Sequence, residues 1–251
     1  MKSIYIIIIF CFVFNGCVDK KSKKNIVVTL TATEIMQKAH EKSGGKFWQN
    51  PKSLSLKGHG IFYQNGKASK HEKHNMWRVF ESKKENAHKA NGKVRIESFK
   101  NGNPVFIVTY DGQNTYDANG KQEKSEADKR WASNFGFGVI RHAFDDGYVL
   151  QKMEDDTVGQ KAVYQIKIID RNKGETFFGI DKEEFKIVKV AFQTPKGWHH
   201  RIYSDFFTKP KYSWLQSGRV DLYYDDVRSN TIFWEDFDVN EDLSEELFIL
   251  N

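Results

Sequence analysis

Beyond the N-terminal apolar run, six Asn-Gly or Asp-Gly dipeptides punctuate the chain, at Asn65-Gly66, Asn91-Gly92, Asn101-Gly102, Asp111-Gly112, Asn119-Gly120 and Asp146-Gly147. A type I′ turn needs two consecutive residues at positive φ, and this pairing meets that demand at low steric cost. Between the turns, β-branched and aromatic residues recur in short runs at 94–99, 104–110 and 114–116. Upstream, Leu54, Leu56 and Phe62 fall on alternate positions of 53–63, with Gly58 and Gly60 on the same face. Short runs joined by turns this tight pair with their immediate neighbours, so an antiparallel meander follows. A second series reads as strands at 162–169, 176–180, 187–193, 198–206, 219–224 and 230–237.

Two segments depart from that rhythm. Thr31-Ala-Thr-Glu34 has the form of a capping box ahead of Ile35, Met36 and Ala39, and Gly44-Gly45 ends the helix it opens. Between the strand series, Trp131, Phe135 and Val139 recur at four-residue spacing behind Ser125 as N-cap, which predicts one or two helices in 125–144. The element order predicts a mainly β (α+β) fold. A strongly curved antiparallel sheet, or half-open barrel, carries helices against its concave face in a single domain spanning 31–251.

The N-terminus reads as an address. Lys2 precedes an unbroken apolar run at 4–14. That run is shorter than the roughly 20 residues a membrane-spanning helix needs and fits the core of a secretory signal. Phe14-Asn15-Gly16-Cys17 resembles the bacterial lipobox, although Phe14 replaces the usual leucine. The resemblance implies a signal peptide at 1–16, acylation of Cys17, and a lysine-rich flexible tether at 17–30. The protein would then be lipid-anchored in the bacterial cell envelope on the periplasmic face of a membrane, with the outer membrane the expected one. An ordinary cleaved signal with a soluble product is the alternative. Only Cys11 and Cys17 exist, so the mature domain has no internal disulfide, cysteine zinc site or cysteine nucleophile.

Charge is distributed unevenly. Residues 18–100 carry 19 Lys/Arg against 7 Asp/Glu, whereas 221–251 carry ten acids and only Arg228 as a base. The bases are scattered along strands and form no helical stripe, so they predict a solvated face and no nucleic acid partner, with attraction to anionic head groups near the anchor as the alternative. His71-Glu72-Lys73-His74 is one residue short of a zincin motif, and on a regular strand the two histidines would point to opposite faces. His199-His200 diverge for the same reason. Gly136-Phe137-Gly138 is followed by Arg141 where a dinucleotide fingerprint needs glycine or alanine. The acid pairs Asp155-Asp156, Asp225-Asp226 and Glu235-Asp236 read as solvated turns. No catalytic residue, metal ligand or cofactor is predicted, and the expected state is a monomer.

A lipobox, a helix, a β meander, an aromatic helical insert and a second β series together resemble the LolA/LolB-like superfamily of lipoprotein carriers and receptors. The likeness is carried by 87–99, by Gly218-Arg-Val-Asp-Leu-Tyr-Tyr224 and by Ile232-Phe-Trp-Glu-Asp-Phe237, and it extends to Bacteroidota lipoproteins of that fold. It implies a half-open barrel whose concave aromatic face holds acyl chains. Trp131, Phe135, Phe137 and Ile140 would supply the helical side of such a cavity, with Trp77, Phe106 and Trp198 facing them from strands. Plain packing of helix on sheet is the competing reading of the same residues. The expected function is non-catalytic binding of an acyl chain, lipid or lipoprotein. The alternative is an envelope hydrolase whose triad assembles in space.

Overall fold

The computed structural model describes residues 29–81, 92–125 and 137–250. Cys17, Trp131 and Phe135 lie outside the described residues. Helix α1 (Ala32–Ser43) begins at the expected capping box: the Glu34 amide donates to Thr31 Oγ1 at 3.2 Å, and the Thr31 amide donates to the Glu34 carboxylate at 2.8 Å. Ile35, Met36 and Ala39 share one helical face and are fully buried. The short α2 (Gly45–Gln49) then turns Trp48 into the same core.

Two wings of one antiparallel sheet follow. The first consists of β1 (Ser53–Gln64), β2 (Lys67–Val79), β3 (Lys93–Lys100), β4 (Asn103–Tyr110), β5 (Thr115–Asp117) and β6 (Gly120–Lys121), each paired with the strand before it. The second contains β7 (Val149–Lys152), β8 (Asp156–Val158), β9 (Lys161–Ile169), β10 (Glu175–Asp181), β11 (Ile187–Thr194), β12 (Gly197–Thr208), β13 (Leu215–Tyr224) and β14 (Val227–Val239). Strand β14 pairs with β1, setting Leu54 opposite Val239 and Phe62 opposite Asn230. The order is therefore β6-β5-β4-β3-β2-β1-β14-β13-β12-β11-β10-β9-β7, with β8 also on β9. The chain runs outward to one edge, crosses to the other, and returns to the centre. The curved sheet stays unclosed, as a half-open barrel. The crossing connection contains α3 (Phe137–Arg141), which buries Val139 and Ile140 in the core.

The β1–β14 pairing also explains the uneven charge. The basic N-terminal region and the acidic C-terminal region are distant in sequence and adjacent in space. Lys57 stands opposite Asp236 in the register, and His59 Nδ1 lies 2.7 Å from Glu235. Lys93 meets Glu245, and Lys209 on the second wing reaches both Asp236 and Asp238 at 2.9 Å.

Only part of the turn chemistry follows the type I′ expectation. Asn65-Gly66 and Asn101-Gly102 have both residues at positive φ and close the β1–β2 and β3–β4 hairpins. Asp111 instead builds an Asx-turn, its Oδ1 accepting from the amides of Gln113 and Asn114 at 2.7 Å each. Asp146-Gly147 is a helix-to-strand junction, held where Arg171 Nε donates to the Asp146 carbonyl at 2.7 Å. A third hairpin with two consecutive positive φ values is at Asp225-Asp226, which turns β13 into β14. Strand β2 is longer than its sequence suggests, because its lysines and histidines mask a continuous alternation.

A candidate ligand cavity on the concave face

Concave-face side chains fill the two wings differently. Across β9, β10 and β11, Ile166, Ile168, Phe178, Ile180, Val190 and Phe192 are buried in one cluster with α1 and α3. Around β1–β4 and β12–β14 the same face leaves a cavity of about 300 Å³. Leu56, Met76, Ile96, Val220 and Ile232 supply its aliphatic wall, and Phe62, Phe80, Phe206, Trp214 and Trp234 its aromatic one. Trp48 of α2 and Arg141 of α3 contribute from the helices.

Strand alternation decides which of the expected residues reach this space. Phe106 does: on β4 it stands opposite Ser98, is 38% exposed, and lines the cavity. Trp77 does not, because Met76 and Arg78 on either side of it take the cavity face and Trp77 turns to the convex side. Trp198 is likewise out of phase with Arg201 and Tyr203. It packs edge-on against Phe177, 5.7 Å between centroids, in a separate depression behind β10–β12. Ile140 is fully buried core, and its carbonyl accepts from His40 Nε2 at 2.6 Å, tying α1 to α3. Phe137 opens α3.

The wall carries three arginines, Arg78, Arg141 and Arg201, and no carboxylate among the described residues that line it. Arg141 lies over the rings of Trp48, Trp214 and Phe80, at 4.7, 5.3 and 5.4 Å from their centroids. Arg78 lies over the same Phe80 ring at 4.5 Å. Aromatic faces stabilise a guanidinium that has lost water. Burial, and then the like charge of Arg141, push Arg78 down to about 9; burial pushes Arg141 down to about 10, so both remain cationic at neutral pH.

Histidines complete the polar inventory. His199 is fully buried; its Nδ1 donates to the Tyr223 carbonyl at 2.8 Å while its Nε2 accepts from Arg201 Nε at 2.8 Å, which fixes the neutral tautomer. Burial, with Arg201 beside it, pushes His199 down to about 3. As expected, His200 diverges from it, stacking on Tyr223 with 4.5 Å between centroids. His71 and His74 do not diverge. The register shifts so that Gly58 opposes His74 and Gly60 opposes His71, which inserts one extra β2 residue and brings both rings to one face. Both contact Phe62, at 4.2 and 5.7 Å between centroids. No third histidine, cysteine or carboxylate joins them in a metal-binding group among the described residues.

His74 Nδ1 lies 2.5 Å from Ser98 Oγ, the spacing of a nucleophile and its base. Ser98 is fully buried and is not part of the cavity wall, and burial pushes His74 down to about 4. A base so weakened, beside a fully buried hydroxyl, is poorly suited to activate a nucleophile.

Solved structures share this architecture. A LolA superfamily protein from Nitrosomonas europaea matches with a TM-score of 0.52 at 10% identity, over 88% of this chain and 99% of its own. The fold is LolA-like. An outer membrane lipoprotein-sorting protein domain from Vibrio parahaemolyticus matches at 0.50 and 13% identity, covering 87% and 95% of the two chains. A DUF1329 family protein from Desulfovibrio piger matches at 0.53 and 9% identity, covering 88% and 98%. No protein-family model matches the sequence, and no curated protein sequence does either.

Within this LolA-like frame, sequence reasoning missed the arginines and most of the wall aromatics. One signal was present: Ile232 and Trp234 alternate with Phe237 beyond them, and Met76 and Arg78 share a phase on β2. Reading β2 as a strand would have placed both.

Proposed function

We propose that this chain is a membrane-anchored lipoprotein of the bacterial envelope that holds a hydrophobic ligand in its half-barrel cavity without catalysing a reaction. The ligand is an acyl chain, a lipid or the acylated end of a lipoprotein. One observation carries the reading: the concave face that elsewhere forms solid core is left as space among aliphatic and aromatic side chains. Cavities of this size and character hold small apolar ligands. The LolA-like fold and the neighbour described as lipoprotein-sorting support the same reading.

The remainder of the proposal rests on sequence. Residues 1–16 direct export, Cys17 is acylated, and 17–30 tether one LolA-like domain, a monomer, to the periplasmic face of the outer membrane. Lipid anchoring would hold the cavity close to the membrane from which a ligand comes.

Native mass spectrometry of the purified protein tests the binding. The expected spectrum contains a lipid adduct that gas-phase activation removes; protein at its bare covalent mass under every gentle condition argues against a carrier. Labelled palmitate incorporation should vanish in Cys17→Ala, with the precursor left uncut. Normal processing of that variant would show that Cys17 is not the anchor.

A further inference from the structure

Several neutral donors in the cavity wall are occupied by the protein's own backbone. Ser43 Oγ donates to the Ala39 carbonyl at 2.7 Å, Gln216 Nε2 to the Ser217 carbonyl at 3.0 Å, and Ser217 Oγ to the Ser204 carbonyl at 3.1 Å. His74 is different. It lines the cavity from β2 and is only 8% exposed. Its Nδ1 is engaged by Ser98 Oγ of β3, which lies outside the wall and is fully buried. Ser98 Oγ meets no other acceptor among the described residues, so its hydroxyl donates to Nδ1. Burial pushes His74 down to about 4, so at neutral pH the ring keeps one proton, and that proton sits on Nε2. Nε2 makes no hydrogen bond to a described residue and is not sealed against protein, so it opens on the cavity. Two wall aromatics hold the ring in that orientation, Phe62 edge-on at 5.7 Å and Trp234 tilted at 5.3 Å between centroids.

We propose that His74 is a ligand-binding residue of this cavity, its Nε2–H donating to the uncharged carbonyl of an ester- or amide-linked acyl chain. This deepens the carrier reading and rests on it. A donor that faces an apolar space is unfavourable while it lacks an acceptor, so the site discriminates against a chain that brings no carbonyl. The donor is itself neutral and is anchored from behind by Ser98, so it is in place before a ligand arrives. The hydrocarbon attached to that carbonyl has an apolar row beside it. Leu56, Met76 and Ile96 stand opposite one another on β1, β2 and β3, and Met76 follows His74 in the same phase of its strand.

The test compares ligands of one chain length on the purified protein: methyl dodecanoate, N-methyldodecanamide and dodecyl methyl ether, each displacing a bound fluorescent acyl probe. The two carbonyl compounds should bind about three- to tenfold more tightly than the ether, the contribution of one neutral hydrogen bond. The tighter of the two shows whether ester-linked chains of lipids or amide-linked chains of acylated proteins are the source. Methyl dodecanoate isotopically labelled at its carbonyl carbon should show, when bound, an infrared stretch below its frequency in hydrocarbon solvent. In His74→Phe the preference over the ether should vanish while ether affinity holds, and Ser98→Ala should weaken the preference by releasing the tautomer. Should the variants not fold, the carbonyl stretch on the unaltered protein still decides. Equal binding of ester and ether, with the stretch at its hydrocarbon value, would overturn this inference and leave the carrier reading standing; no binding by any of the three would remove both.

Discussion

The two wings of the sheet are built from the same kind of strand and reach opposite outcomes. On β9–β11 the concave face is closed by α1 and α3, and Phe178, Ile180 and Val190 are fully buried. On β1–β4 the residues in equivalent roles, Met76, Ile96 and Phe106, face a cavity, and the buried satellite cluster there contains only Val94 and Val108. Alternating apolar residues therefore specify a face that must leave water. They do not specify whether protein or ligand covers it. Cover is a property of connections: the crossing segment places α3 over the second wing, whereas the 3-10 turn Glu245–Phe248 meets β3 through Lys93 and Arg95, out of phase with Ile96 on the cavity face.

Truncation should expose that contrast most strongly. Phe178→Ala removes a fully buried ring from the closed wing and should cost about 3–5 kcal/mol, read by denaturant unfolding. A value near 1 kcal/mol would mean that the second wing is no better packed than the first.

Acid perturbs both sides of the cavity together. His74 on β2 and His199 on β12 are held neutral, at about 4 and about 3, against an unfolded value near 6.5. Between those values the unfolded chain binds more protons, so stability is full above about pH 6.5 and is lost as pH falls toward 4. Each histidine contributes up to about 1.4 kcal/mol per pH unit there. The melting temperature should fall through that window, and His74→Asn should flatten the slope by about one proton. An unchanged slope in that variant would show that His74 titrates normally.

The smallest effect should come from the cavity wall. Trp234→Ala takes a side chain that already borders empty space, so it should cost about 1–2 kcal/mol, well under the Phe178 value. A cost equal to that of Phe178→Ala would mean the cavity is filled by packing in solution.

How much of this was legible in the sequence follows the same division. Hairpin chemistry is local, so Asn65-Gly66, Asn101-Gly102 and the Thr31 capping box could be read from a few residues each. Facing is less local. Trp77 and Trp198 were each placed one residue out of phase, because period two names two faces without saying which one is inside. A single extra residue in β2 also brought His71 and His74 together when a regular strand would separate them. Arg78 and Arg141 were invisible for a different reason. Arginine is ordinarily solvated, and its burial here depends on Trp48, Phe80 and Trp214 arriving from three other segments. Phe106 shares the phase of Val108 and borders the cavity, but the register shift between Ser98 and Phe99 means that the Asn101-Gly102 turn alone does not fix its facing.

The central claim, that the open wing holds an acyl chain, can be tested with the tryptophans themselves. Trp48, Trp214 and Trp234 line the cavity, whereas Trp77 and Trp198 sit on the convex face. A bromine-bearing fatty acyl chain quenches only the rings it approaches. The account predicts saturable quenching that is diminished in Trp234→Phe and retained in Trp77→Phe. Quenching that never saturates, or that disappears with Trp77 and survives loss of Trp234, would contradict it.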